Sequence, residues 1–363
     1  MLCTVALDAN NHLFPIAFRL VDNENHTSWT FFIRKLKEAI RNVDNLAFIL
    51  DKHASITHAL EVVFPDAYHG ACCHHVCMNV VAKFKTDHYH DMIWCATYAF
   101  RKTEFHKFFE KIKDMDPPIA KYLQEIGLDR WNFAYFPRNR YNIMTSNYAE
   151  SYTDQTKEAK TFLVTTFLEF ICFTLYTWFT NRREKAAKET SVLAPLIEAD
   201  LKEIGVKANF VDVQVLGHHD LLVVDGNGDG EVNLVTNSCS CGMFQTIGIP
   251  CVHAFAAARK RSINIYSLCS PYYTIESWME TYKETIYPCG NEDEWILHEQ
   301  IKEIVVGVRV EKNHVGRPKK KKLGRLKTKR FPSNGEHVVQ PRTSAINLLI
   351  RGHYRLQEED GDI

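Results

Sequence analysis

The sequence predicts an α/β protein built from consecutive units, and three observations predict it. Before residue 85, β-rich runs alternate with amphipathic helical stretches. Helical periodicity dominates 86–200. From 201 to 290, short strands lead into closely paired cysteines. With 363 residues, 45% hydrophobic and 12% aromatic, the chain can bury large cores, and its length favours two or more domains.

In chain order, Leu2 to Leu7 and Leu13 to Val21 are β-rich runs joined by Asp8-Ala9-Asn10-Asn11, which is turn chemistry, so they pair as a hairpin. Ser28 opens a helix whose Trp29, Phe32, Ile33, Leu36 and Ile40 recur on one face. The apolar run Leu46 to Leu50 reads as a buried strand ending at Asp51, and a further helix fits 54–63. An acid at the carboxyl end of a buried strand stands where α/β sheets place their chemistry.

The helical unit at 86–200 is broken at Pro117-Pro118 and Phe136-Pro137. Within it, residues 161–180 have the length of a membrane span. Six threonines and the central Glu169 argue against one, and Arg182, Arg183 and Lys185 suit the last turn of a buried helix instead. The expectation is a protein without a membrane segment.

In the 201–290 unit, Val211 to Val215, Leu221 to Val224 and Val232 to Val235 read as strands around the glycine-rich turn 226–230. Cys239-Ser240-Cys241 follows, then nine residues, then Cys251-Val252-His253. Zinc takes four soft or borderline donors at tetrahedral corners, and two close pairs joined by a loop supply them with little strain. Gly248-Ile249-Pro250 turns the loop back, and a helix carries His253 in its first turn. With all four positions filled by protein, such a Zn2+ is structural. Eleven cysteines without a signal peptide fit a reducing compartment. Cys269 and Cys289 read as ordinary core or surface residues.

Charge is uneven. Residues 312–330 hold ten basic residues and no acid; removing them from the 44 of the whole chain leaves 34 basic against 44 acidic residues, a formal −10. Within this run, Gly316, Arg317, Pro318, Lys319, Lys320, Lys321 and Lys322 are similar to an AT-hook. An extended Arg-Pro arm fits the narrow minor groove of A·T-rich DNA, lysines neutralise phosphates, and the same run serves as a nuclear localisation signal. A short helix is expected at 296–306. The unit 291–363 is otherwise expected to be mostly disordered, and largely so beyond about residue 311.

The Cys-x-Cys, loop, Cys-x-His pattern resembles the SWIM-type zinc finger, which is associated with DNA or protein partners and commonly follows the catalytic domain of Mutator-like transposases of plants. Other segments resemble that family in order. These are Leu7 to Asn11 with Phe14 to Phe18, then Leu50-Asp51-Lys52-His53, Phe64 to His69 followed by Cys72-x-x-His75 and Asn79, and Tyr141 to Ser151. The resemblance spans roughly residues 1–300. It implies a ribonuclease H-like transposase domain, incomplete over 1–85 and continued by the helical unit. It also implies an Asp-Asp-Glu triad holding Mg2+ for in-line attack on a phosphodiester. Asp51 and Glu150 match its second and third members; taken alone, they read as a helix cap and a solvated helix face.

The triad's first Asp and its strand have no match here. Asp8 occupies the hairpin turn and is expected to point away from Asp51. In the ribonuclease H arrangement the unmatched strand lies mid-sheet, so its two neighbours are expected to face each other across a gap with unsatisfied edges. Strand transfer is therefore expected to be impaired, in a gene fragment or a decayed element. Cys72 and His75 are candidate metal ligands beside His69, Cys73, His74 and Cys77, with a buried thiol and a satisfied histidine as the alternative.

The expectation is a zinc-binding, DNA-binding, nuclear protein derived from such a transposase, acting on A·T-rich duplex or element ends. One alternative is a transcription regulator of the far-red-impaired-response type; another is a SWIM module that binds protein.

Overall fold

The computed structural model of the chain describes residues 1–287, except 41, 42, 44, 45, 52, 138, 158, 160–163 and 227, together with the backbone of 346–349.

Strand β1 (Leu2–Leu7) turns at Asp8 and pairs antiparallel with β2 (Leu13–Arg19), with an irregularity between Thr4 and Val5. Helix α1 (His26–Ile40) begins two residues before the expected Ser28, because the Asn25 side chain accepts the Ser28 amide at 2.8 Å and caps it. It buries the five apolar residues its periodicity marks. Strand β3 (Ala47–Leu50) and helix α2 (Ala54–Val63) follow as expected. Strand β4 (Tyr68–Ala71), parallel to β3, was not expected.

β1 and β3 are buried along their whole length, as strands covered on both faces are. Leu2, Phe48 and Leu50 pack against α1 and α2, whereas Val5, Ala47 and Ile49 face the other side. There Ala149 and Tyr152 of α8 (Asn147–Gln155), with Phe136 and Ile143, cover the sheet.

Between β4 and α8 the chain forms α3 (Cys73–Phe84), α4 (His90–Tyr98), α5 (Lys102–Met115), α6 (Pro117–Ile126) and α7 (Leu128–Trp131). They enclose a separate core around Phe105, Phe109, Leu123 and Trp131. Pro117 opens α6, whose first-turn Ile119 amide is accepted by Asp116, so the proline pair starts a helix rather than only ending one.

Helix α9 (Val164–Lys188) contains the apolar run from Val164 onward, and it corrects the expectation of a buried helix. Only Phe167, Ile171 and Ala186 are buried, while Phe170, Phe173 and Tyr176 are exposed. No described helix is long and apolar enough to cross a membrane. Helix α10 (Pro195–Lys207) then leads to an antiparallel sheet of β5 (Asp212–Val215), β6 (Asp220–Val224), β7 (Gly230–Asn233) and β8 (Ser238–Cys239). β7 starts two residues before the expected strand. Helices α11 (Met243–Ile247) and α12 (Val252–Lys260) carry the chain to α13 (Ile275–Thr281), and α12 packs on this sheet.

The expected gap in the first sheet is absent. Its order is β2-β1-β9-β3-β4, where β9 (Ile346–Leu349) runs parallel to β1 and antiparallel to β3. The tail, expected to be largely disordered, contributes this one described strand at 346–349. The expected helix at 296–306, the run Gly316–Lys322 and Cys289 lie outside the described residues.

Candidate metal centre and acidic site

Cys239 closes β8, in register with Val232 of β7. Gln245 fixes it from both sides, accepting its amide at 3.1 Å and donating to its carbonyl at 2.9 Å. Cys241 follows in a turn that Gly242 completes at φ 81°, where a Cβ would stand 2.6 Å from the Phe100 carbonyl oxygen, so the position needs glycine twice over. Cys251 caps α12, its sulfur accepting the Ala254 amide at 3.4 Å, and His253 sits in the first turn.

These elements converge. His253 Nδ1 lies 3.7 Å from Cys239 Sγ and 3.9 Å from Cys251 Sγ, and the donor atoms of Cys239, Cys241, Cys251 and His253 all lie within 4.8 Å of one another. A tetrahedral zinc with ordinary bond lengths needs donor separations of about 3.5–3.8 Å, so the four residues fit the ion. The four groups share protons among themselves: hydrogen bonds from Cys239 and Cys251 hold the Cys241 thiol far below its usual range, while bonds to Cys239 and Cys241 push the Cys251 thiol far above it.

The other ring nitrogen of His253 is fixed as well. Nε2 lies 3.1 Å from the Gly228 carbonyl oxygen and 3.8 Å from Asp225 Oδ2, partners that set the tautomer and leave Nδ1 for metal. Arg101, at the start of α5, donates to the same Gly228 carbonyl at 3.1 Å and to that of Asp229, tying the helical unit to this turn. At Gly230 a Cβ would stand 2.4 Å from His253 Cγ. Sequence reasoning assigned the four ligands but not this second layer.

A second site forms where three segments meet. Asp51 follows β3, His75 lies in α3, and Glu150 is in the first turn of α8. His75 Nε2 lies 3.7 Å from Asp51 Oδ2 and 3.6 Å from Glu150 Oε1. Ser146 Oγ donates to Glu150 at 3.1 Å and lies 3.3 Å from His75 Nδ1, while the Ser146 amide donates to Cys72 Sγ. His53, not Asp51, occupies the N-cap position of α2, without a capping bond from its side chain. Asp51, His75 and Cys72 line a cavity of about 150 Å3 together with Asn79, Glu125 and Arg130. Of the candidate ligands, His75 lies beside both acids, and Cys72 lies against His75 and Ser146. Cys73 and Cys77 pack into the helical side.

Electrostatics bind this group together. Burial pulls His75 down, but its hydrogen bond to Cys72 and the charges of Cys72, Asp51 and Glu150 outweigh that and raise it to about 9. Burial would raise Cys72, yet the bond and charge of His75 bring it below its ordinary value. Beneath the site lies Arg140, fully buried, which donates to the carbonyls of Ile143 and Ala71 at 3.1 Å each. Burial lowers it to about 10. No motif pointed to Arg140. Asp8 points elsewhere, as expected; its carboxylate accepts from the amides of Asn10 and His12, from Trp278 and from Tyr282.

One chain thus holds an acid at the end of β3 beside His75 and Glu150, and a four-donor module that fits zinc. Residues 1–79 match the family model of the MULE transposase domain, and residues 223–262 match that of the SWIM zinc finger. Searches of curated proteins and of solved structures found no match to the chain. A MULE transposase match followed by a SWIM zinc finger match is consistent with a MULE-family transposase-like protein. The first match contains Asp51, Cys72 and His75, and the second contains all four zinc ligands.

Proposed function

We propose that this protein is a zinc-held, DNA-binding derivative of a Mutator-like transposase whose strand-transfer chemistry is impaired. The observation that carries the chemical half is the position of His75 between Asp51 and Glu150. A magnesium ion shared by two carboxylates needs their oxygens within about 4.2 Å of each other, twice an ordinary Mg–O bond. Among the described residues only the Cys239 cluster brings three or more donor atoms within 4.8 Å of one another. The two acids flank an imidazole, and this arrangement supports the reading of impaired Mg2+ chemistry.

The binding half rests on the SWIM finger and on the basic run at 312–330. Gly316, Arg317 and Pro318 enter the minor groove of A·T-rich duplex, and Lys319, Lys320, Lys321 and Lys322 neutralise flanking phosphates. The same run directs the protein to the nucleus. A ribonuclease H-like assignment is supported by the mixed sheet with helices on both faces and an acid after β3.

The test is incubation of the full-length zinc-loaded chain with A·T-rich duplex carrying element ends, with and without Mg2+. Salt-dependent binding without Mg2+-dependent nicking is expected. Nicking that requires Mg2+ and disappears in Asp51→Asn would overturn the reading.

A further inference from the structure

The first sheet is completed by a segment from the far end of the chain. β1 and β2 form one ribbon and β3 and β4 another, and no hydrogen bond joins the ribbons directly. β9 joins them. Its residues pair with β3 along the whole strand, Leu50↔Ile346, Ile49↔Asn347, Phe48↔Leu348 and Ala47↔Leu349, and with β1 at Thr4↔Ile346 and Val5↔Asn347. Two strands that share a neighbour stand about 10 Å apart, twice the ordinary strand spacing. That is too far to bond each other and too narrow for anything but one extended chain.

We infer that the cleft between β1 and β3 is a strand-acceptor site, and that residues 346–349 are its donor strand, supplied by the same chain. Both walls of the cleft are buried strands, so an empty cleft leaves two rows of backbone donors and acceptors without partners inside the core. Main-chain pairing supplies the affinity in such sites, as it does wherever an extended peptide adds to a sheet. Residues 288–345 separate the donor from the last described residue of α13's unit, so the pairing is wholly non-local. The donor also reaches the acidic site, because Ile346 pairs with Leu50, the residue before Asp51. Helix α8, which carries Glu150, lies against β1, β2 and β9. Filling the cleft therefore helps set the spacing of the two acids.

The test uses the full chain. Leu348→Pro removes a ladder hydrogen bond from a central strand. Amide exchange at Val5, Phe48 and Ile49 is expected to accelerate at least about tenfold in this variant, while zinc content stays at the wild-type level. A synthetic peptide of residues 343–352 should restore protection. Because the variant could fail to fold, an Ile49→Cys/Asn347→Cys chain provides a second readout. On mild oxidation it should give a disulfide joining positions 49 and 347, and a mixture of isotopically light and heavy chains should place both cysteines in one molecule. Unchanged exchange in Leu348→Pro, or a folded double-cysteine chain that forms no such bond or forms it only between two molecules, would overturn the inference.

Discussion

Trp278 donates its indole N–H to Asp8 at 2.9 Å, so the helix that follows the zinc finger is bonded to the hairpin that begins the first sheet. Tyr282 adds a second bond to the same oxygen at 2.8 Å, and the amides of Asn10 and His12 hold the other. The Asp8 side chain is fully buried, so removing it strands four donors at once. Asp8→Ala is expected to cost on the order of 3 kcal/mol in urea unfolding. A loss under about 1 kcal/mol would contradict the structural role given to this carboxylate.

Gly230 lies directly against the His253 ring, with room for no side chain. Gly230→Ala should push the imidazole off the position that directs Nδ1 at the cysteines, lowering zinc affinity about tenfold or more in chelator competition. An unchanged affinity would mean that the β7 backbone does not set this ligand.

His75 gives the acidic site a pH signature. Its pKa is raised to about 9 by Cys72, Asp51 and Glu150 against the opposing effect of burial. The stability that its charged form adds is complete below its ordinary value near 6.5 and fades as pH rises through about 9. Thermal unfolding across pH 6 to 10 should show this loss, and His75→Gln should flatten the change. A wild-type profile that is level through pH 9 would count against the charged bridge.

What the sequence revealed depended on whether the signal was local. The zinc ligands were legible because paired spacing before a helix is a short-range pattern, and the buried face of α1 because Trp29, Phe32, Ile33, Leu36 and Ile40 recur with the helical period. β4 was not, since Tyr-His-Gly-Ala carries no β-branched run. α9 looked like a buried helix by composition, yet composition does not say which side of a helix finds a neighbour. Arg140 sits in a loop with no flanking pattern to mark it as the buried cation under the site. The spacing from Cys72 singled out His75, but its partners Asp51 and Glu150 come from two other elements. β9 pairs with residues about three hundred positions away, and nothing in Ile-Asn-Leu-Leu names its partners.

The basic run should dominate electrostatic contact with DNA. Deleting residues 312–330 removes ten cations, so binding to A·T-rich duplex should weaken and its dependence on salt should become shallower. Titration by fluorescence anisotropy at several salt concentrations checks this. Equal affinity and slope in the deleted chain would assign the contact to the folded domains instead.

The zinc centre carries the account most directly. Elemental analysis of the purified chain should give about one zinc per molecule, as a four-donor structural site requires, and Cys241→Ser should abolish it together with the fold of the β5–β8 module. A wild-type chain that folds with no bound zinc would contradict the account at its centre.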